Sequence, residues 1–454
     1  MANTEERLRI LIAGAGIAGL ATAIALTRIS EIANLDIQLY EQAAELREIG
    51  ASIALSPNGL RTLERLGIDE ALGDELGFRG PSGIPQIYRH WKTNQVVSVD
   101  TFGNVPDPRH QTARFHRGHI HAALAKHIPK EWIHLNKKIS HAESNNDGVV
   151  LHFEDGSSAH GDILIGADGI RSHQQVRAAF FPDYKLRFSG KVFMRSTFDA
   201  SLVEGKIPDL PADAAHWWGT KDSFFSSKLG KGQYTVVGAY DDGRSAEELE
   251  KSITWDQVGN VQFLREKYKD WHPVIKALTE LTPHARLYPN YAGESLETWV
   301  PASRVTLVGD AAHTHGGSFA AGGSLALDDS RALGLAFKHA FGSGSSSSSQ
   351  ETIQQALTLY DQTRRPHTAR LLSIVHSLMN RKAPTFATPE EEDEALRTRM
   401  RSRPDLLWLS EHDVEKAFLQ VVAESEQRNL KAQSATGARE SYQKEESAVA
   451  LPKL

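Results

Sequence analysis

The chain has 454 residues, room for up to about three domains or one large enzyme core. Its 51 lysines and arginines against 57 aspartates and glutamates leave a net charge of −6, so electrostatics give no case for nucleic acid or an anionic membrane as the main partner. It has no cysteine, which excludes disulfides, thiolate metal sites and thiol nucleophiles and agrees with a reducing compartment.

The first element is apolar. Ile10 to Leu26 could pass for a signal peptide or a membrane span, but it is shorter than the roughly 20 residues a span needs. It reads instead as a buried strand ending at Gly14 and a helix from about Gly16 to Ser30. Leu35, Ile37 and Leu39 then alternate up to Glu41. Strand, helix, strand is the unit that builds a parallel sheet. Asp147-Gly148 and Asp155-Gly156 are turn pairs around the strand Val149 to Phe153, which predicts a small antiparallel meander. From about Lys185 to Tyr240 the pattern is strand-rich, and its aromatics suggest a second sheet with one face on a pocket. Val305 to Val308 is a buried strand entering Gly309-Asp310, with a helix from about Gly323 to His339. Gly342 to Gln350 is a flexible connection, Ile353 to Met379 a long helix, and the polar residues from 431 onward a disordered tail. No His-Glu-x-x-His spacing occurs, and no metal site is predicted.

Three motifs carry chemistry. The first is Gly14-x-Gly16-x-x-Gly19 with Glu41 ending the next strand. Gly14 permits a tight turn, Gly16 lets backbone N–H groups approach a pyrophosphate, and Gly19 lets the helix pack on the sheet. The helix N-terminus favours phosphate, and a carboxylate at Glu41 can accept from ribose hydroxyls. The second motif runs Gly161 to Ser172, a buried strand leading into Asp168. The third runs Arg304 to His313, followed by Gly316-Gly317 and then Gly322-Gly323 opening a helix. Taken singly, the second and third could equally be plain strands and turns.

In this order the three motifs resemble those of the single-component FAD-dependent aromatic monooxygenases, the para-hydroxybenzoate hydroxylase-like class. Gly50-Ala51-Ser52-Ile53, Pro57-Asn58, Leu66-Gly67 and His116-Arg117 add to the match. The stretch His315 to Asp329 and the later Trp408…His412-Asp413-Val414-Glu415 resemble the fungal salicylate hydroxylase-like enzymes in particular.

The resemblance implies an α/β (α+β) fold. A discontinuous Rossmann-like FAD/NAD(P)-binding domain (1–75, 105–183 and 282–375) would carry an inserted mixed or antiparallel substrate sheet (76–104 and 184–281). A helical segment at 376–430 follows. It implies that Gly14, Gly16 and Gly19 hold the FAD pyrophosphate, with Ile17 and Ala18 at the same helix start. Glu41 would hold the adenosine ribose. Arg117 would sit near the ribityl phosphate, and Asp168 would face both FAD and the pyridine nucleotide. Gly309 and Asp310 would serve the ribityl chain, and Gly322 and Gly323 the pyrimidine edge of the flavin. Arg47, Ala51 and Ala54 complete the expected set. Two departures stand out: Gly317 replaces the proline usual after the Gly-Asp motif, and the Tyr-Pro pair of the substrate sheet is read at Lys228-Leu229, so no catalytic tyrosine carries over there.

The implied activity is hydroxylation of a small aromatic substrate by NADPH or NADH and O2 through a flavin C4a-hydroperoxide, with loss of CO2 if the substrate is a salicylate-like acid. No second glycine fingerprint marks a nicotinamide site, in keeping with transient NAD(P)H binding. Arg195 is the first catalytic candidate, since a guanidinium can grip a carboxylate or phenolate with two hydrogen bonds. It could equally be a solvent-exposed strand arginine. Lys228 and Tyr240 rank second. The alternatives are a flavin monooxygenase of the same fold acting on a secondary metabolite by epoxidation, dearomatising hydroxylation or N-oxidation, or a non-catalytic FAD-binding protein. A monomer or homodimer in the cytoplasm is expected. The terminal Pro452-Lys453-Leu454 resembles a degenerate peroxisomal address and leaves that location open.

Overall fold

The computed structural model describes residues 7–46, 51–317, 319–342, 349–381 and 384–449. The apolar strand Leu8–Ala13 lies at the centre of a five-stranded sheet. Leu35–Tyr40 and Ile163–Gly166 flank it, Val305–Leu307 and Ile133–His134 form the edges, and every pairing is parallel. Parallel neighbours need a crossover, and the helix Ile17–Ile29 supplies the first one. Its small residues let the helix Gly322–Gly342 pack along it, with Thr22 and Ser330 sharing a hydrogen bond at 3.1 Å. Gln350–Met379 covers that helix in turn.

Three strands of this sheet are adjacent and point the same way: Leu8–Ala13, Ile163–Gly166 and Val305–Leu307. Their C-terminal ends run into Gly14, Ala167-Asp168 and Gly309-Asp310. The register pairs Ala13 with Gly166 and Gly166 with Leu307, so all three turns meet at one end of the sheet. That is where parallel sheets collect ligands.

The meander forms as expected, from Ile139–Ser144, Val149–Phe153 and Ser158–Gly161. The second sheet has eight strands in the order 257–259, 285–293, 186–199, 233–241, 223–229, 215–218, 87–90 and 96–99. One face packs Val192, Trp217, Phe224, Tyr234 and Val236 against the helices Val261–Lys267 and Pro273–Leu281. The other turns toward the first sheet's domain, where Thr235 Oγ1 donates to Ser52 Oγ at 3.1 Å. The helix Pro389–Arg401 closes against the far end of this sheet, through His90 and Asp393 at 2.6 Å and Ser98 Oγ donating to the Met400 carbonyl at 2.8 Å.

The last helix, Val414–Val449, continues past residue 431, where disorder was expected. The stretch is rich in Ala, Gln, Glu, Lys and Arg, which form helix without an apolar stripe. Pro452-Lys453-Leu454, Arg47 and most of the Gly342–Gln350 connection lie outside the described residues. Among the described residues no helix is long and apolar enough to cross a membrane.

Candidate active site

The glycine turn is pressed between neighbours. Gly14 has φ +102°, and a Cβ there would lie 2.7 Å from the Ala167 carbonyl oxygen. A Cβ on Gly19 would lie 2.0 Å from the Gly14 oxygen, so only glycine lets the helix approach the turn. The helix Ile17–Ile29 starts without a side-chain cap and with no acid in its first turn. Its N–H groups and positive dipole end are therefore open to a phosphate. Glu41 lies across the mouth of the turn. Its Oε2 accepts from Ala15 N at 3.0 Å and its Oε1 from Ala43 N at 2.9 Å. Each oxygen keeps a lone pair for a ribose hydroxyl.

Asp168 accepts from Val176 N at 3.0 Å through Oδ2 and is also hydrogen-bonded by Ser172, while Oδ1 is buried with no partner among the described residues. Burial pushes its pKa up. Arg177, which sequence reasoning missed, is fully buried and ties the middle motif to the third. Its Nη1 donates to the Ala311 carbonyl at 2.6 Å and to that of Asp310 at 3.2 Å. The only sequence signal was one basic residue in the otherwise apolar stretch Val176 to Phe180.

Gly309 has φ +61°, and a Cβ there would meet the Ala18 Cβ at 2.9 Å. The third turn thus abuts the start of the first helix. Asp310 is exposed, and its Oδ1 lies 3.5 Å from where a Gly322 Cβ would stand. Gly323 does not face open space: a Cβ there would run into Ile53 at 2.5 Å and Leu55 at 3.1 Å. Ala51 accepts from Arg117 N at 2.8 Å, and Ala54 pairs with Arg114 on the two-stranded ribbon that leads into the helix opened by Arg117. Ile17 is buried just inside the helix.

FAD fits this arrangement. An uncapped helix start, a carboxylate with spare lone pairs, a buried unpartnered oxygen at Asp168 and the exposed Asp310 carboxylate lie along one end of the sheet. The helix start suits a pyrophosphate, Glu41 a ribose, and Asp310 a ribityl chain.

Arg195 stands beside the third turn. A Cβ on Gly317 would lie 2.7 Å from the Phe193 ring and 3.1 Å from Arg195 Nη2. The glycine found in place of the expected proline therefore leaves room for these two side chains. Arg195 is half-buried, and its Nε has no partner. Its guanidinium lies 5.1 Å from the Phe193 ring and 5.4 Å from that of Tyr288. Burial lowers its pKa, Tyr288 opposes this and Arg117 adds to it, and no acid is among the groups that act on it. It remains a cation at neutral pH.

Lys228 and Tyr240 are not part of this site. Strand pairing puts Arg195 opposite Val237 and Val237 opposite Phe225. Alternation then turns Tyr240 and Lys228 to the other face. There Lys228 pairs with Glu204 at 2.5 Å, and Tyr240 is buried in the core beside Phe263, with its pKa pushed up to about 12 by burial. The chain does have a Tyr-Pro pair on the substrate sheet, at Tyr288-Pro289, opposite Phe193 and Val192. Its phenol donates to Asp256 at 2.5 Å, and burial raises its pKa strongly, so it is committed structurally.

His313 is buried and bonded to Asp329 at 2.5 Å, which makes it a packing residue. Glu64, Asp107 and His110 place ligand atoms within 4.8 Å of one another, but Arg109 neutralises both acids, at 2.6 and 2.7 Å.

Comparison with known proteins adds to this picture. A family model described as tryptophan halogenase matches residues 9–147, a span that stops short of Asp168, Arg195 and Asp310. The chain is 28% identical over 383 residues to 6-hydroxynicotinate 3-monooxygenase of Bordetella bronchiseptica, covering 82% of this chain and 91% of that protein. It is 27% identical over 383 residues to a salicylate hydroxylase of Pseudomonas putida, covering 81% and 83%. A solved salicylate hydroxylase substrate complex superposes with a TM-score of 0.72 at 22% identity, covering 92% of this chain and 98% of that one. HpxO of Klebsiella pneumoniae, solved with FAD and uric acid, gives 0.69 at 20%, with the same coverage. The chain has the fold of these flavin hydroxylases and resembles FAD-dependent aromatic monooxygenases over about four-fifths of its length.

Proposed function

We propose that the chain is an FAD-dependent monooxygenase that uses NAD(P)H and O2 to hydroxylate an aromatic substrate bearing a carboxylate or phenolate oxygen. The observation that carries the reading is the meeting of the three turns at one end of the parallel sheet, with the Arg195 guanidinium against Gly317 of the third.

Gly14, Gly16, Gly19 and the helix start behind them would hold the pyrophosphate, Glu41 the ribose and Asp310 the ribityl chain. Bound there, FAD would supply the hydride acceptor and the oxygen chemistry that no side chain can supply. The protein's own work is binding, orientation and exclusion of water. Arg195 would take the acidic oxygen of the substrate in a two-point hydrogen bond and fix the ring's orientation. A cation beside a phenol also favours its ionised form, which makes the ring a better nucleophile. Phe193 would pack against the ring and keep water from it.

The test is a screen of the purified holoenzyme with salicylate, hydroxybenzoates and larger phenolic acids. At least one substrate is expected to stimulate NADH or NADPH oxidation and to gain one oxygen atom in the product mass. CO2 release would mark a decarboxylating reaction. If no aromatic raises the rate above background or gains oxygen, the reading is wrong.

A further inference from the structure

We infer that the substrate spans at least two fused rings, with an acidic oxygen at Arg195 and a second oxygen acceptor at the opposite end of the substrate sheet, beside Trp218. This rests on the monooxygenase reading and narrows its substrate class.

On the face that carries Arg195, one row of side chains runs between two aromatic ends. Strand register runs straight across four strands from Phe193 to Ala239, Ser223 and Trp218. The two aromatic ends are therefore joined by a floor of two small side chains. Three strand spacings make about 14 Å. A one-ring acid held at the Arg195 guanidinium, beside the Phe193 ring, reaches only about one spacing, ~5 Å, and stops at Val237 and Ala239.

The far end lies under the helix Pro389–Arg401, whose Arg399 donates to the Gly219 and Thr220 carbonyls, and it holds donors left without acceptors. Trp218 Nε1 is buried with no hydrogen-bond partner among the described residues. Its ring meets His216 at 5.8 Å and Tyr88 at 5.6 Å, both edge-on, and the Arg399 guanidinium lies 5.5 Å from it. Burial, then Arg403 and Arg114, push the His216 pKa down to about 3, so its imidazole is neutral at neutral pH and the charge at this end belongs to the arginines. Arg114 stands 5.7 Å over the Phe225 ring with its Nε buried and unpartnered. A buried donor without an acceptor is a cost in the free protein that a ligand oxygen removes. The flat aromatic walls suit a flat, extended ligand.

The test compares three acids on the FAD-loaded enzyme: salicylate, a hydroxynaphthoate, and a dihydroxynaphthoate with its second hydroxyl on the distal ring. KM is expected to fall along that series, at least tenfold from first to last. Trp218→Phe keeps the ring and removes the N–H; it should raise KM for the dihydroxynaphthoate about tenfold more than for the hydroxynaphthoate. Ser223→Phe fills the floor of that row and should raise KM for both naphthoates far more than for salicylate. FAD content checks that each variant is folded. The inference is overturned if salicylate has the lowest KM, or if both variants shift all three acids equally. Turnover of salicylate alone would leave the monooxygenase reading standing and remove only the two-ring substrate. Failure of every acid to gain oxygen would remove both.

Discussion

Replacing Asp329 with alanine is expected to destabilise the protein by about 3–5 kcal/mol. Asp329, His313 and Arg364 are all fully buried. The Asp329 carboxylate accepts from His313 Nε2 at 2.5 Å, from Arg364 Nε at 2.9 Å and from Gly309 N at 3.0 Å. Removing it leaves the Arg364 guanidinium uncompensated in the core, a heavier penalty than the loss of one hydrogen bond. It also releases the Gly309 turn that presents Asp310. Burial alone would raise the Asp329 pKa, but His313 and Arg364 outweigh it and hold the group at about 2. The folded value lies below an unfolded value near 4. This contribution is therefore complete above about pH 4 and fades as pH falls toward 2. Chemical denaturation followed by circular dichroism checks the size of the effect; an unchanged midpoint would mean that the pair is not a keystone of this core.

Arg195→Ala is expected to lower kcat/KM by about a hundredfold or more, or ~3 kcal/mol of transition-state binding, while FAD stays bound. Among the described residues the guanidinium has no carboxylate partner to be orphaned, so the fold should tolerate its loss. Arg195→Lys keeps the charge but loses the fork, and should recover only part of the rate. Steady-state kinetics and the flavin absorbance of the same preparations separate the two effects. Unaltered kinetics in the alanine variant would remove Arg195 from the site.

The nucleotide half was legible because its signals are local. A strand, three glycines at fixed spacing, a helix and a terminal acid lie within the first 41 residues, and they fold against one another. The substrate half was not, because which face a strand residue takes depends on long-range register. Lys228 and Tyr240 are plausible pocket residues until Arg195 is known to pair with Val237 and Val237 with Phe225. A slip of one residue in the first pairing would have turned both to the face of Arg195, and a slip in the second would have turned Lys228 alone. Tyr288-Pro289 escaped notice for a similar reason: it is far from Lys228 in sequence, and only the pairing of Tyr288 with Phe193 brings it under Arg195. Arg177 carries no motif, and the stretch that ends in Asp329 assigned that residue no role. Their roles come from burial beside Asp310 and Gly309, contacts that span 133 and 20 residues of chain.

The most direct measurement is a titration of flavin-stripped protein with FAD, read by quenching of flavin fluorescence, beside the variants Glu41→Ala and Asp310→Ala. Saturation at one FAD per chain, with affinity weakened in both variants, is the predicted result. A protein that takes up no FAD, or one whose affinity is indifferent to both carboxylates, would contradict the view that these separated turns hold a single dinucleotide.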